Sequence, residues 1–528
     1  MNVNYKKEIK VFQIIVLVLL MIWYGLFFVQ KVDLTTADLG RHLKNGELVL
    51  QGNFEVLKTN FYSYTEPNFQ TVNHHWGSGV IFYFIWKLFG FTGLSFFYFI
   101  VSLIIFYLFF RIAQKESNFK ITLLVSLLLI PLIADRREIR PEIFSYLFIA
   151  LFFWILWHWR QGRLNDKWLF ILPLLEVFWV NTHIYFVFGP ALVGLFWIER
   201  LINKFKIQFL DHDPMFSKKF DLVLVLTGLA TLLNPFGLKG LLYLFNIFKN
   251  YGYRIVENQS VWFLKNWGLK NPNLTLFEIS FIVLVLSFII LLIKNRSKFS
   301  FRYFCLAVVF SAMAWLAIRN FVIFGFFALP IITYNIRNIG RNWTILNSLG
   351  VQFLTVVLGL VIFLISFFVY YEKLPLQKVR FGFGLMPGNN QSAQFFKDQN
   401  IQGPIFNNYD IGGFLIFHLF PKERVFVDNR PEAYPASFFK EEYVPMQEDE
   451  EVWKKLESFY KFNIIFFYRY DFTPWAQHFL IKRLDDPTWV PVFVDNFTII
   501  FLKNISENQE IIKKYKIPKE YFRIISPK

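Results

Sequence analysis

The sequence predicts a polytopic α-helical membrane protein that ends in a small α/β domain. Of its 528 residues, 55% are hydrophobic and 70 are phenylalanine. The apolar residues lie in long runs without charge, and the first run, 11–30, contains no charged residue. About 20 apolar residues cross the ~30 Å hydrocarbon core of a bilayer as a helix, the conformation that satisfies every backbone group internally. Beyond residue 371 the apolar runs become short and alternate with amphipathic stretches.

The apolar runs predict about eleven transmembrane helices. The first run is too long for a typical signal-peptide core and lacks a small-residue cleavage site, so we predict a retained anchor. The stretch 76–90 is short and interrupted by Lys87, which predicts an interfacial helix ahead of the second span. The approximate spans are 11–30, 92–113, 120–135, 141–158, 168–182, 184–203, 221–236, 274–294, 302–318, 320–336 and 350–371.

The basic residues predict the orientation of these helices. In a soluble protein a net charge of +17 could indicate a nucleic-acid partner. This sequence contains no nucleic-acid-binding motif, so we expect no nucleic acid among its partners. Lysine and arginine instead concentrate in alternate short connections, as the positive-inside rule requires if the N-terminus is cytoplasmic. The exception is "DRREIRPE", 135–142. We therefore expect a multi-pass protein of the cell membrane.

Two domains are predicted from these patterns. Residues 1–371 form the transmembrane domain, in which 31–91 is the first extracytoplasmic loop and carries interfacial helices. Residues 372–528 form an extracytoplasmic α/β domain. Its predicted strands are "GPIFNN", "RVFVDN", "NIIFFY", "WVPVFV" and "FTIIFLK", separated by the helical stretches "SAQFFKDQN" and "DEEVWKKLESFYKF".

The first outer loop begins with "ADLGRHL", which holds the first candidate site residues. Asp38 and His42 are four residues apart, so a helix places them on one face. Such a pair suits a shared cation or a hydrogen-bonded acid and imidazole. The alternative is that Asp38, or a threonine just before it, caps a short helix. The same loop ends in "VNHHWGSG", where His74 or His75 contributes to the site while the other packs beside Trp76.

Arginines at an outer boundary oppose the positive-inside rule and therefore need a reason. Arg136, Arg137 and Arg140 surround two acids, Asp135 and Glu138. A guanidinium fork suits an anionic phosphate, whereas a salt-bridged loop is the structural alternative. Further outer-face candidates are Asn181, His183 and Arg319, none of which lies in a specific motif. The gathering of polar groups on one predicted face indicates one extracytoplasmic site.

Most of the chain resembles the C-type glycosyltransferase superfamily (GT-C) of multi-span enzymes that use lipid-phosphate-linked sugars. The segment "ADLGRHLKNGELVLQGNFEVLKTNFYSYT" and the later "VNHHW" look like the first outer loop of poorly characterised bacterial and archaeal members. "RPEIFSYLF", "WVNTH", "LNPFG" and "RNFVIFGFFALP" look like later blocks of that group, in order. The resemblance implies a GT-C-like transmembrane domain in which Asp38 is catalytic or linked to a metal.

The tail is distantly similar to oligosaccharyltransferase catalytic subunits. "NNYDIGGFLIF" followed by "RVFVDNR" matches the layout of their Trp-Trp-Asp-Tyr-Gly region, which makes Asp410 a candidate for substrate binding. Asn408 and Tyr409 stand where that motif has two tryptophans, and Ile411 follows the aspartate instead of tyrosine. The similarity therefore extends to the layout and not to recognition of a peptide sequon.

Together these features predict an integral membrane glycosyltransferase, a hexosyl- or pentosyltransferase of the cell envelope. It would transfer a sugar from a polyprenyl-phosphate donor to a glycan, lipid or protein acceptor on the extracytoplasmic face. Asp38 and His42 would be catalytic; Mg²⁺ or Mn²⁺ would bind Asp38, Asp135 and Glu138. The other candidates would bind substrate. The alternatives are a transporter or flippase of lipid-linked glycans, which usually binds at the bilayer midplane, and a non-catalytic cell-envelope assembly protein.

Overall fold

The computed structural model describes residues 3–204, 218–340 and 380–522, and its first part is almost entirely helical. Asparagine and serine begin several helices: the side chains of Asn118, Asn271 and Ser300 each accept a backbone N–H of the first turn. Up to residue 340 the α-helices are α1 (Val3–Leu26), α2 (Leu39–Leu50), α3 (Trp76–Glu116), α4 (Phe119–Ile133), α5 (Glu142–Arg160), α6 (Ile171–Val180), α7 (Phe188–Lys204), α8 (Lys218–Ala230), α9 (Leu238–Leu242), α10 (Val261–Asn266), α11 (Pro272–Lys294), α12 (Phe301–Leu316) and α13 (Phe321–Ile339).

Five helical segments of the described residues are long and apolar enough to cross a membrane. Three shorter apolar helices accompany them, at Lys10–Leu26, Phe119–Ile133 and Phe301–Leu316. The chain is thus a membrane protein, but eleven spans are not confirmed. The five segments are Trp76–Glu116, Glu142–Arg160, Ile184–Ile202, Pro272–Lys294 and Ile318–Ile339.

Three of the predicted spans differ from the structure or lie outside it. The predicted span 168–182 contains a ten-residue α-helix after a short 3₁₀ turn, and 221–236 contains the end of the thirteen-residue α8. Both helices are shorter than the ~20 residues that a perpendicular crossing needs. The predicted span 350–371 lies outside the described residues.

Helix α3 contains the predicted interfacial helix and the second span as two helical pieces. Gly90, with φ +63° and ψ −165°, breaks the helix between them. Glycine adopts these backbone angles readily because it has no Cβ atom that would clash. The helix can therefore break at this residue. The break lies where the prediction separates 76–90 from 92–113.

The chain divides into two compact units that are not consecutive in sequence. Unit 1 comprises Met1–Gln30, Ser95–Gly237 and Ile255–Gly382, and unit 2 comprises Lys31–Leu94, Leu238–Arg254 and Phe383–Lys528. This division differs from the predicted boundary after residue 371. The first loop and part of the large loop after residue 236 fold with the C-terminal segment, because their buried side chains and backbone hydrogen bonds are shared with it.

The C-terminal part of unit 2 contains four strands, β1 (Ile405–Asn407), β2 (Ile464–Tyr468), β3 (Trp489–Val494) and β4 (Thr498–Lys503). They form one sheet in the order β1-β2-β4-β3. β1 and β2 are parallel, and the other neighbours are antiparallel. A buried aromatic core that includes Phe406, Phe467 and Trp453 lies against it. The helices of this part are α14 (Gln391–Asp398), α15 (Gly412–Leu419), α16 (Pro445–Glu448), α17 (Glu450–Tyr460), α18 (Ala476–Asp485) and α19 (Gln509–Tyr515).

One predicted strand of this domain is wrong. The segment "RVFVDN" is not a strand of the sheet, because its backbone groups bind elsewhere. Val425 exchanges hydrogen bonds with the backbone of Tyr62 and Tyr64. The N–H of Phe426 donates to the Asn407 side chain, at 2.9 Å. Buried backbone N–H and C=O groups need hydrogen-bond partners, but these partners do not have to be a neighbouring strand of the sheet.

Candidate functional site

Helix α2, which carries the first candidate residues, is held in unit 2 by close glycine contacts. A Cβ added to Gly46 would lie 2.1 Å from the carbonyl oxygen of Gly79 in α3, and one added to Gly40 would lie 2.5 Å from that of Gly413 in α15. Backbones approach this closely only where no side chain intervenes. The glycines of "GRHLKNGEL" and "DIGG" therefore fix the position of α2, most of whose residues are buried.

Asp38 is the N-cap residue of α2, but its carboxylate makes no capping hydrogen bond. Its backbone carbonyl accepts the N–H of His42, at 3.2 Å. The side chain is half-buried. Asp38 thus occupies the N-cap position that the alternative predicts. Its carboxylate, however, does not cap the helix.

The basic neighbours of Asp38 on α2 lie deeper in unit 2. Arg41 is buried, and its Nε donates to Asn429 Oδ1 at 3.3 Å. His42 is also buried and meets the ring of His75 edge-on, with 5.7 Å between centroids. His74 contacts the ring of Tyr243 instead, at 5.4 Å. The adjacent histidines therefore point to different neighbours, and burial lowers the pKa of His74 to about 4.

Three carboxylates of unit 2 lie within electrostatic range of Tyr409. Burial raises the pKa of the Tyr409 hydroxyl, and the negative charges of Glu432, Asp38 and Asp410 raise it further. Burial also raises the pKa of Glu432, which Arg41 partly offsets. The structure thus brings two predicted residues, Asp38 and Asp410, into one acidic region. The sequence analysis missed the third, Glu432, although it lies two residues beyond the quoted "RVFVDNR".

A buried ion pair ties the C-terminal segment to the first loop within unit 2. Arg430 binds Asp428 with two nitrogens, at 2.8 and 2.6 Å, and its Nη2 also donates to Asn60 Oδ1 at 2.9 Å. The guanidinium lies 5.6 Å from the ring centre of Tyr62. Asn60 and Tyr62 lie some 370 residues before Arg430 in the sequence, so no sequence pattern predicted this contact.

The short segment Leu238–Arg254 completes unit 2. Tyr253 stacks on Tyr409 with 4.2 Å between ring centroids and also contacts Phe439. Gly252, with φ +81°, lies against the carbonyl of Ala436. This segment therefore covers the aromatic surface beside the acidic region, and its tyrosines were not among the predicted site residues.

Unit 1 contains a separate arginine–glutamate cluster, made of Arg136, Arg140, Glu142, Glu257 and Arg319. Arg136 binds both oxygens of Glu142, at 2.8 and 2.9 Å, and also pairs with Glu257. Arg140 lies 3.1 Å from Glu257, and Arg319 pairs with Glu142. Burial raises the pKa of Glu257, but Arg136 and Arg140 outweigh it and lower that pKa to about 2. The guanidinium groups already hold carboxylates, with which a phosphate would have to compete.

The remaining predicted residues of unit 1 hydrogen-bond within the protein. Asp135 accepts from Asn273, and Glu138 pairs with Arg140 at 2.9 Å. Arg137 donates to the carbonyl of Ala134 and lies over the ring of Phe27. Two helix-end residues also form hydrogen bonds: Asn181 donates to Val177 O and Leu233 O, and His183 Nδ1 shares a 2.8 Å hydrogen bond with Ser145.

The predicted metal site does not fit the described residues. Nowhere in the described ranges do three or more His, Cys, Asp or Glu side chains gather as they would around a metal ion. Asp135 and Glu138 are engaged with Asn273 and Arg140. Divalent cations need several oxygen ligands at short distances, so we derive no step through a metal.

Comparisons with known proteins identify the fold. No protein-family model matches the chain, and no curated protein sequence matches it. A solved structure of the oligosaccharyltransferase AglB from Archaeoglobus fulgidus, in complex with an inhibitory peptide and a dolichol-phosphate, superposes with a TM-score of 0.60 at 12% identity, over 93% of this chain and 74% of that one. A structure of an Archaeoglobus fulgidus oligosaccharyltransferase tethered by a disulfide to an acceptor peptide with the NVT sequon gives a TM-score of 0.56 at 11% identity, over 94% of this chain and 74% of that one. An apo structure of an Archaeoglobus fulgidus oligosaccharyltransferase gives a TM-score of 0.56 at 11% identity, over 86% of this chain and 69% of that one.

The fold is that of an oligosaccharyltransferase. The similarity that the tail and the first loop predicted is confirmed at this level. Asn408 and Tyr409, which stand where the sequon-recognition motif has tryptophans, are both buried. Asn408 binds Asp471 at 2.8 Å and accepts the N–H of Tyr468, so its side chain serves the packing of unit 2.

Proposed function

We propose that this protein is an integral membrane glycosyltransferase of the GT-C kind that uses a polyprenyl-phosphate-linked sugar. The observation that carries the proposal is the agreement of fold over 93% of the chain, including the C-terminal domain. That neighbour holds a dolichol-phosphate and an inhibitory peptide. A lipid-linked donor accounts for the membrane helices, because the lipid part of such a donor stays in the bilayer.

Asp38 is the proposed catalytic residue. A general base must lie within hydrogen-bond reach of the proton that it removes, and the half-buried Asp38 carboxylate is not used to cap α2. It would take the proton of an acceptor hydroxyl as that oxygen bonds to the anomeric carbon. The bond from that carbon to the phosphate oxygen breaks in the same step, and polyprenyl phosphate leaves with the electron pair.

The other acids and bases of unit 2 would support this step. Asp410 and Glu432 would bind sugar hydroxyl groups, which carboxylates accept as hydrogen-bond donors. Buried Arg41 compensates the negative charge of the region, and His42 fixes His75 by ring contact. A peptide acceptor is disfavoured because Asn408 and Tyr409 stand in place of the two tryptophans of the motif and are both buried. The acceptor is accordingly a glycan or a lipid.

Reconstitution of the full chain in liposomes tests the proposal. The vesicles carry a panel of short-chain polyprenyl-phosphate monosaccharides with cell-envelope glycans or lipids as acceptors, and release of polyprenyl phosphate is measured. We expect Asp38→Asn to lower turnover roughly 100-fold or more, and the melting temperature of the variant is measured alongside to separate a loss of catalysis from a loss of folding. Glu47→Gln on the same helix, whose partner is Lys44, is the matched control and should keep activity.

Two results would contradict the proposal. If the wild-type chain moved the donor across the bilayer without consuming it, the protein would be a flippase. If Asp38→Asn kept full transfer, the glycosyltransferase function could stand but the catalytic assignment would be wrong.

A further inference from the structure

A basic cavity lies in unit 1 at the end of α3 that follows its membrane-crossing part. It has a volume of about 230 Å³ and is lined by Gln13, Arg111, Gln114, Lys115, Asn118 and Phe119. Two of these side chains are cations, three are amides and none is an acid. The cavity therefore offers hydrogen-bond donors and positive charge to a small anionic group.

The nearest acid on α3 is turned away from solvent. Glu116 is buried and accepts hydrogen bonds from the Trp157 indole and from the Tyr303 hydroxyl. Arg337 adds a further positive charge beside the cavity, since its Nη1 donates to the backbone carbonyl of Glu116 at 3.1 Å. The charge of Arg111 and Lys115 is thus not neutralised by this neighbouring carboxylate.

An apolar surface leads from the cavity along α3. Ile100, Ile104 and Tyr107 are all exposed, and their spacing places them with Arg111 on one face of the helix. The Arg111 guanidinium lies 5.9 Å from the ring centre of Tyr107. On α1, which contributes Gln13 to the cavity, Ile14, Val18 and Ile22 are exposed at the same helical spacing.

We infer that this cavity binds the phosphate of an anionic phospholipid whose acyl chains lie on the exposed faces of α1 and α3. Guanidinium and ammonium groups are the side chains that bind phosphate, and basic residues at a membrane surface favour anionic lipids. A soluble phosphate would use the cations but not the apolar faces. The site is independent of the glycosyl-transfer proposal, since no residue is shared.

Native mass spectrometry of the full chain in detergent tests the inference, with short-chain phosphatidylglycerol as the anionic probe and phosphatidylcholine as the neutral one. We expect the wild type to prefer phosphatidylglycerol, and Arg111→Gln with Lys115→Gln to weaken its binding roughly tenfold. The matched control is Arg296→Gln with Lys298→Gln, which removes the same charge from an exposed connection and should keep the preference.

A charge-conserving pair, Arg111→Lys with Lys115→Arg, keeps the preference for phosphatidylglycerol if the site works as inferred. Inorganic phosphate at equal concentration should not displace the lipid. Unchanged binding in the Arg111 and Lys115 double glutamine variant would overturn the inference. Equal loss in the Arg296 and Lys298 control, or displacement of the lipid by inorganic phosphate, would overturn it as well.

Discussion

Arg430 donates a hydrogen bond to Asn60 across 370 residues of sequence, at 2.9 Å, while it pairs with Asp428. The contact connects the first loop to the C-terminal segment inside unit 2. Both Asp428 and Arg430 are buried, so their charges depend on each other. The first loop thus folds as a part of the C-terminal domain, which places Asp38 and Asp410 in the same unit.

Arg430→Gln should destabilise unit 2, because it leaves the Asp428 carboxylate buried without its cation. Removing one partner of a buried ion pair costs about 3–5 kcal/mol. The control is Arg424→Gln at an exposed position, where a surface change stays within about 0.5 kcal/mol. Thermal unfolding of the detergent-solubilised chain compares the two, and equal melting temperatures would show that the pair is not needed.

Gly46→Ala should separate α2 from α3, because the added Cβ would lie 2.1 Å from the Gly79 carbonyl oxygen. Overpacking of this kind costs about 1–3 kcal/mol. Gly228→Ala in α8, where a Cβ meets nothing within 4 Å, should instead stabilise by up to about 1 kcal/mol. If both variants melt alike, α2 is not held by close backbone contact.

Glu142→Gln should destabilise unit 1 more than Glu138→Gln. The Glu142 side chain is 4% exposed and bridges Arg136 and Arg319, whereas Glu138 is 46% exposed and pairs with Arg140. Loss of the bridging carboxylate removes the anion between Arg319 and Arg136 and leaves Arg136 with Glu257, at a cost of about 3 kcal/mol or more. The exposed pair contributes about 1 kcal/mol at most. The order of melting temperatures tests this, and a reversed order would refute the structural role.

Stability should fall as the pH is lowered from about 6.5 to about 4, the interval that His74 defines. Burial lowers its pKa to about 4 from an ordinary 6.5, so the unfolded chain binds a proton before the folded one does. Stability then rises with pH and is lost on acidification, by up to roughly 3 kcal/mol. Burial lowers the pKa of His418 as well, with the same sign.

Melting temperatures measured between pH 7.5 and pH 4.5 test this dependence. His74→Gln should make the decline shallower, because the titrating group is gone. His478→Gln removes an exposed histidine and should leave the decline unchanged. The same decline in the His74 variant as in the wild type would contradict the role of this histidine.

Apolar runs and motif order were sufficient to predict the oligosaccharyltransferase-like fold, the break between 76–90 and 92–113, and β1 to β4. They did not predict the conformation of "RVFVDN" correctly. This segment has the composition of a strand, but its backbone bonds with Tyr62, Tyr64 and the Asn407 side chain. They also could not tell whether the arginines of 136–140 bind phosphate or carboxylate. Glu257, which pairs with both Arg136 and Arg140, lies more than 100 residues away, and no spacing rule reaches that far.

The sequence by itself determined that the protein is a helical membrane protein with an acid at the start of the loop that follows its first apolar run, since hydrophobicity and helix periodicity are local properties. Only the tertiary structure decided that Asp38 is an N-cap without a capping carboxylate and that α2 is buried between glycines. It also decided that Glu432 joins Asp38 and Asp410 near Tyr409. The reason is physical: burial and charge pairing depend on contacts between distant segments, and those contacts exist only in the folded chain.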